Sequence, residues 1–141
     1  MSLKPTYLIE LDPRKNYMRL TFSGYMDHAT LDRFEQELAA AFERMPLEGG
    51  RPGDYLLLND ARASNVQSQD ITARFQACIA QYGPLVRRIA MLMSQSPLEM
   101  MQAKRVQAKR VAAGHGTAFF LSEEDALAWL FGDEDDATTP V

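Results

Sequence analysis

The polar residues best placed to do chemistry lie between an apolar run at 55–60 and a helical pattern that starts near residue 69. A strand that ends in an acid, crosses a loop and enters a helix is typical of a central strand in an α/β sheet. Such sheets bind ligands and partners beyond the carboxyl ends of their strands. We therefore predict that residues 60–70 form a partner-binding or regulatory loop. Its candidate site residues are Asp60, Arg62, Ser64, Ser68 and Asp70.

The chemistry open to this loop is charge pairing and, at one position, phosphorylation. Asp60 and Arg62 fit a polar ligand or a protein partner, or they pair with each other within the turn. Ser68 fits a phosphoacceptor, because a phosphate adds up to two negative charges beside the positive end of a helix. Ser68 also fits a helix N-cap, which is worth about 1 kcal/mol. We favour the N-cap interpretation.

Two further clusters have both a functional and a structural interpretation. Methionines around residues 91–101 either line an adaptable apolar pocket or pack in the core, and core packing is favoured. Basic residues at 104–110 either contact an anionic partner or form a solvated helix face. The helix period spreads them over more than half of the circumference, which favours the solvated face. The methionines are Met91, Met93, Met100 and Met101.

No arrangement typical of an active site or a metal site is present. His28 and His115 have no second histidine or cysteine at ligand spacing, and the sequence lacks a nucleophile elbow. Cys78 is the only cysteine, so an intramolecular disulfide is excluded. It falls on the apolar stripe of its helix, which predicts an inert, buried thiol. We predict a protein that is not an enzyme and holds no cofactor and no metal ion.

The composition is typical of one soluble domain. The 141 residues predict a single domain over 5–132, and the acidic, aperiodic residues 133–141 predict a disordered tail. A net charge of −4 argues against nucleic-acid binding. No apolar run approaches the length of a transmembrane segment, and the amino terminus does not resemble a signal peptide. We therefore expect a cytoplasmic protein.

Hydrophobic periodicity predicts an α/β domain with the order ββαβαβαβα and a mixed five-strand sheet with packed helices. The apolar run at 56–58 predicts burial on both faces of the central strand. The exposed edge of the opening hairpin is compatible with a homodimer. Strands are expected at 6–11, 17–22, 55–60, 87–93 and 117–121. Helices are expected to follow Asp27 (ending at Pro46), Ser68, Ser96 and Ser122. The last helix is expected to place Ala126, Leu127, Leu130 and Phe131 facing inward.

This order of elements resembles the STAS domain of the anti-sigma-factor antagonists. Residues 120–130, Phe-Leu-Ser-Glu-Glu-Asp-Ala-Leu-Ala-Trp-Leu, resemble the ending of the SpoIIAA-like group, with a strand, an acidic cap and a final helix. The resemblance spans about residues 6–131. It implies a non-enzymatic regulatory module that binds a protein partner through the 60–70 loop and the helix after it, with exposed apolar side chains on that helix or on the methionine-rich helix making the contacts.

The same resemblance has two further consequences. Phospho-regulated STAS proteins carry an Asp-Ser-Ser-Gly-like segment where this chain has Val-Gln-Ser-Gln-Asp-Ile at 66–71, with one serine and no glycine. The resemblance therefore implies the fold and not phosphorylation. The SpoIIAA-like group is also linked to the Sec14 lipid-binding fold, which implies an alternative function, a small carrier or sensor of a hydrophobic, lipid-like ligand.

Overall fold

The computed structural model describes residues 4–64, 67–94 and 116–132. The helix expected after Ser96 lies outside these ranges, as do Met100, Met101, His115 and the basic cluster at 104–110. The described strands are β1 (Thr6–Asp12), β2 (Tyr17–Gly24), β3 (Tyr55–Ser64), β4 (Val86–Leu92) and β5 (Gly116–Phe120). The described helices are α1 (His28–Leu47), α2 (Gln69–Gln81) and α3 (Glu123–Leu130).

The five strands form one mixed sheet in the order β1-β2-β3-β4-β5. β1 and β2 are antiparallel, whereas β2 to β5 are mutually parallel. β3 therefore lies in the middle of the sheet, and its first six residues are all buried. The predicted mixed five-strand α/β sheet and its central, doubly buried strand are confirmed.

Alternation along β3 divides the core between the two faces of the sheet. Leu57 packs on the face covered by α1 and α2, together with Phe34 and Ile79. Leu56 and Leu58 point to the opposite face, where α3 covers them with Leu130. Fully burying a leucine is worth about 1.5–3 kcal/mol, so this apolar run stabilises both layers at once.

Three local predictions differ from the structure. β3 does not end at residue 60 but continues to Ser64, because its last residues pair with the end of β2 and a bulge accommodates one extra residue. α1 does not end at Pro46 but at Leu47, since a proline in the last turn removes only one helix hydrogen bond. Phe131, expected to face inward, follows the end of α3 and is 47% exposed.

The turn between β1 and β2 is fixed by one asparagine. Asn16 adopts a left-handed conformation with φ 56°, which asparagine tolerates better than most residues. Its carbonyl accepts a hydrogen bond from the Leu56 N–H at 2.6 Å, and its Oδ1 accepts one from the Arg51 N–H at 2.7 Å. The hairpin is therefore held against the segment that enters β3.

Candidate functional site

The parallel strands β2 to β5 all end at the same edge of the sheet, where the sequence predicts the functional loop. Tyr25 follows β2, Arg62 lies near the end of β3, Ser68 precedes α2 and Leu121 follows β5. We call these four residues the carboxyl rim. Tyr25 is 48% exposed and Leu121 is 52% exposed. Adjacent strands are about 4.8 Å apart, and Tyr25 and Leu121 follow strands that are three positions apart in the sheet. The two residues are therefore at least roughly 14 Å apart, because β2 also extends farther than β5 toward this edge.

Behind the rim lies a network of four charged side chains from three elements. The Asp60 carboxylate accepts hydrogen bonds from Arg19 Nη2 at 2.8 Å, from Arg62 Nε at 3.0 Å and from Arg62 Nη2 at 2.9 Å. Glu123, the first residue of α3, contacts Arg19 at 2.7 Å and Arg62 at 3.5 Å. Two arginines and two acids thus neutralise each other where β2, β3 and α3 meet.

The surroundings of Asp60 explain its protonation state. Burial opposes ionisation, but the hydrogen bonds from Arg62 and the charges of Arg62 and Arg19 outweigh it, so the pKa of Asp60 lies below its ordinary value. Its side chain is 8% exposed, whereas that of Arg62 is 44% exposed. Asp60 is therefore the group that orients Arg62, and Arg62 is the member of the pair that a partner can reach.

Gln67 fixes the loop between β3 and α2 to the end of β2. Its Nε2 donates to the Gly24 carbonyl and to Ser64 Oγ, both at 3.0 Å, and its Oε1 accepts from the Met26 N–H at 2.7 Å. Ser64, one of the predicted site residues, therefore has a structural contact within the loop. The same contacts hold the backbone next to Tyr25 in place.

Ser68 occupies the N-cap position of α2, but its side chain makes no cap hydrogen bond. The prediction that it caps the helix is wrong in this respect, because its hydroxyl donates to Asp70 Oδ1 instead. Asp70 Oδ2 also contacts His28 Nε2 at 2.9 Å. The hydrogen bond from Ser68, followed by that from His28, lowers the pKa of Asp70 to about 2.

His28 links the beginnings of α1 and α2. Its Nδ1 lies 3.0 Å from Arg74 Nη1, and a guanidinium can only donate hydrogen bonds. Nδ1 is therefore the acceptor, and the Nε2 proton is directed at Asp70. Arg74 also pairs with Asp32 and, at 3.0 Å, with Glu35. Within the described ranges, no group of three or more histidine, cysteine or acidic side chains is arranged to hold a metal ion.

The described methionines of the predicted pocket pack in the core. Met91 and Met93 are each 8% exposed and belong to the cluster beneath α1 and α2. Met91 Sδ also lies 3.5 Å from Asn59 Nδ2. Cys78 is 7% exposed in the same cluster, and burial, reinforced by the charge of Glu35, raises the pKa of its thiol to about 11. These positions agree with the packing interpretation of the sequence.

Comparison with known proteins relates this geometry to a known fold. No family model matches the chain, and no curated protein sequence does. Among solved structures, it is similar to an uncharacterized protein from Shewanella loihica that has a SpoIIAA-like fold. The two share 17% identity and a TM-score of 0.62, over 89% of this chain and 93% of that one. This chain has a SpoIIAA-like fold.

A second solved structure agrees with this assignment. An anti-sigma factor antagonist from Mycobacterium paratuberculosis is 14% identical to the chain, with a TM-score of 0.58 over 94% of this chain and 98% of that one. The resemblance to STAS-like, SpoIIAA-like domains expected from the sequence is thus confirmed at the level of the fold. In the described part of this SpoIIAA-like chain, no helix combines the length and the apolar content needed to cross a membrane.

Several residues that shape the rim of this SpoIIAA-like fold were not predicted. Arg19 and Glu123 bond to the loop from other elements, and the exposed apolar anchors are Tyr25 and Leu121. The helix α2 was expected to expose apolar side chains, but its exposed positions are alanines and polar residues. The sequence gives one indication of Arg19: the alternation along β2 places it on the more polar face of the strand.

Proposed function

We propose that this chain is a non-enzymatic regulatory module that docks a protein partner on the carboxyl rim. The observation that carries the proposal is the combination of two exposed apolar side chains, Tyr25 and Leu121, with an oriented Arg62 between them. Tyrosine and arginine are enriched among the residues that contribute most to protein interfaces. The likeness of the fold to an anti-sigma factor antagonist supports a regulatory role.

Preorganisation favours docking at this edge. Arg62 is held by two hydrogen bonds to Asp60, so a partner does not have to order a free side chain. Gln67 fixes the loop and the end of β2 in the same way. A suitable partner surface has two apolar pockets at least roughly 14 Å apart and an acidic residue between them, facing Arg62.

Ser68 is the position on the rim at which added charge would control docking. Its side chain is exposed, and its neighbour Asp70 is ionised at neutral pH because its pKa is about 2. A phosphate at Ser68 would replace the hydroxyl that now bonds to Asp70 and would place like charges side by side. The rim would then repel the acidic partner residue that Arg62 attracts.

Site-specific photo-crosslinking in the native cells tests the docking surface. A benzoylphenylalanine at Tyr25 or at Leu121 is expected to give an adduct of the same mass, because one partner covers both positions. The matched controls are Phe131 after α3 and Leu47 at the end of α1, which are 47% and 83% exposed and lie at the opposite edge of the sheet. An adduct of that mass from either control, with none from the rim, would contradict the proposal.

Two substitutions test the mechanism in the same experiment. Arg62→Glu is expected to reduce the rim adduct at least tenfold, since it replaces an attraction with a repulsion of more than 1.4 kcal/mol. Ser68→Asp is expected to reduce it as well, whereas Ser68→Ala retains it. Equal adduct yields from the two Ser68 variants would remove the charge switch and leave the docking surface in place.

The alternative function, transport or sensing of a hydrophobic ligand, has no support in the described residues. Met91 and Met93 are in the packed core. A groove of about 570 Å³ between α1 and α2 has apolar lining residues, but charged side chains such as Asp32, Glu35 and Arg74 also line it. The cytoplasmic location and the homodimer remain predictions from the sequence.

A further inference from the structure

A basic groove lies at the opposite edge of the sheet from the carboxyl rim, where β2, β3 and β4 begin. Its volume is about 360 Å³. Among the lining residues in the described part of the chain, Arg14, Lys15, Arg51 and Arg87 are cationic and Asp54 is acidic. This concentration of positive charge contrasts with the net charge of −4 of the whole chain. We refer to the four cationic residues as the basic groove.

The groove is built by two hydrogen bonds that Asn16 accepts, one at its carbonyl and one at its side-chain Oδ1. The hydrogen bonds from Arg51 N–H and Leu56 N–H hold the β1–β2 turn against the entry to β3. Arg14 and Lys15 are thereby brought next to Arg51, which is 36 residues from Lys15 along the chain. The fold therefore holds like charges together here, and a bound anion would relieve their repulsion.

Nearby acids compensate only part of this charge. Lys15 lies 4.0 Å from Asp12, with 70% of its side chain exposed, and Arg51 lies 3.2 Å from Asp54, with 71% exposed. Exposed pairs of this kind are worth little and exchange readily. Arg14 forms no ion pair with any residue in the described part of the chain. Arg14 and the weakly paired Lys15 and Arg51 can therefore bind a ligand that carries several negative charges.

A segment with that charge follows the groove directly in the sequence. Phe131 lines the groove, and Arg88 fixes the end of α3 through hydrogen bonds to the carbonyls of Trp129 at 2.6 Å and Gly132 at 3.2 Å. The next four residues, at 133–136, are Asp-Glu-Asp-Asp. Four residues can span up to roughly 13 Å, which is sufficient to pass along a groove that begins at Phe131.

We propose that the acidic residues 133–136 bind in the basic groove, which is therefore a carboxylate-binding site whose ligand belongs to the same chain. The segment is tethered one residue from the groove, so its effective concentration is in the millimolar range or above. An acidic peptide from another protein has to displace it. The basic groove is consequently a second binding surface, distinct from the carboxyl rim and independent of the proposed function.

Zero-length carbodiimide cross-linking of the full chain tests this contact, because Lys15 is a lysine within the groove. We expect monomers in which Lys15 is joined to a carboxylate at 133–136, with a yield that falls several-fold when the salt concentration rises from about 0.02 to 0.5 M. Lys4 is an internal control: it is exposed and precedes β1, whose first residue Thr6 pairs with Ser23 at the end of β2. Lys4 therefore lies at the opposite edge and is not expected to be joined to this segment.

A matched pair of variants separates a specific groove from general charge. Arg14→Gln with Arg51→Gln is expected to lower the Lys15 cross-link several-fold. Lys4→Gln with Arg33→Gln removes two exposed cations that lie away from the groove and is expected to leave it unchanged. Circular dichroism shows whether each variant is folded. Equal loss in both variants, equal cross-linking at Lys4 or cross-links found only between two chains would overturn the proposal.

A binding measurement tests the competition with an external ligand. The probe is a fluorescein-labelled hexaglutamate peptide, followed by anisotropy. Replacing the four acids at 133–136 by their amides is expected to tighten binding of the probe several-fold, since the internal ligand no longer occupies the groove. The added Arg14→Gln and Arg51→Gln substitutions are expected to abolish that gain. Equal affinity of the probe for the wild type and the amide variant would contradict the proposal.

Discussion

The helices α1 and α2 both follow a residue of a type that is favoured at the N-cap, but the two side chains make different hydrogen bonds. Asp27 Oδ1 accepts a hydrogen bond from the Thr30 N–H at 2.7 Å. Hydrogen bonds from the Thr30 side chain and from this N–H lower the pKa of Asp27. Ser68 has the extended backbone of an N-cap residue, but its hydroxyl bonds to the Asp70 carboxylate. An N-cap side chain stabilises a helix by accepting a hydrogen bond from an N–H that has no partner within the helix. Of these two residues, Asp27 does this and Ser68 does not.

Alanine substitutions are expected to separate these two positions. Asp27→Ala leaves the Thr30 N–H without its partner and is expected to lower the urea midpoint clearly. Ser68→Ala removes an exposed side-chain contact and is expected to change the free energy of unfolding by less than about 0.5 kcal/mol. Equilibrium urea denaturation of both variants at pH 7 measures the difference. A loss at Ser68 as large as that at Asp27 would show that the hydroxyl caps α2 in solution.

The helix caps can be recognised in the sequence, whereas the long-range side-chain contacts that compete with them cannot. Capping depends on residues three positions apart, so Asp27 and Ser122 are recognisable locally. The contacts of Asp70 and Asp60 join residues 41 or 42 positions apart, His28 to Asp70 and Arg19 to Asp60. Which side chains meet at that separation is set by the register of β2 against β3 and by the packing of α1 against α2. Periodicity carries no information on either.

At the scale of elements, α3 depends on one buried cation of a neighbouring strand. Arg88 of β4 is 8% exposed, and its guanidinium bonds to the Trp129 carbonyl and lies 5.4 Å from the centre of the Trp129 ring. The last carbonyls of a helix have no partner within the helix and favour a nearby cation. Arg88 therefore satisfies the end of an eight-residue helix that is too short to be stable by itself.

Removing this anchor is expected to loosen α3 selectively. Arg88→Leu leaves the carbonyls of Trp129 and Gly132 without this donor and is expected to cost about 2 kcal/mol, the usual range for hydrogen bonds to a charged group. Amide hydrogen exchange should accelerate in α3 and remain slow in α1. Arg33→Leu, at an exposed position of α1, is the control and should leave α3 unchanged. If amide exchange in α3 is unchanged in the Arg88 variant, apolar contacts alone hold this helix against the sheet.

At the scale of the whole molecule, the fold could be predicted because its determinants are repeated along the chain. Leu56 to Leu58 are apolar without alternation, which requires a central strand, and parallel crossovers of one hand place α1 and α2 on the same face. Leu121 and Tyr25 have no such repetition. Their exposure depends on where neighbouring strands end. The extension of β3 to Ser64 shows that turn-forming residues in the sequence do not locate these ends correctly.

The shifted pKa values of side chains in the folded protein predict how its stability depends on pH. The pKa of Asp70 is lowered to about 2 and that of Asp60 also lies below its ordinary value, whereas carboxyl groups of an unfolded chain titrate near pH 4. Their contribution to stability is therefore present above about pH 4 and is lost as the pH falls toward 2. The pKa of the Cys78 thiol is raised to about 11 by burial, so its neutral form contributes below about pH 8.5 and is lost as the pH rises toward 11.

We expect the urea midpoint to be nearly constant between about pH 5 and pH 8 and to fall on both sides of that range. Asp70→Asn should flatten the acid limb, because the unfolded state no longer binds a proton at this position before the folded state does. Cys78→Ala should flatten the alkaline limb for the corresponding reason, with the buried tyrosines accounting for what remains. Urea denaturation followed by tryptophan fluorescence at Trp129 measures the midpoint at each pH. A midpoint that stays level from pH 7 to pH 3 would mean that Asp60 and Asp70 are not held by their partners in solution, and the oriented Arg62 of the carboxyl rim would lose its physical basis.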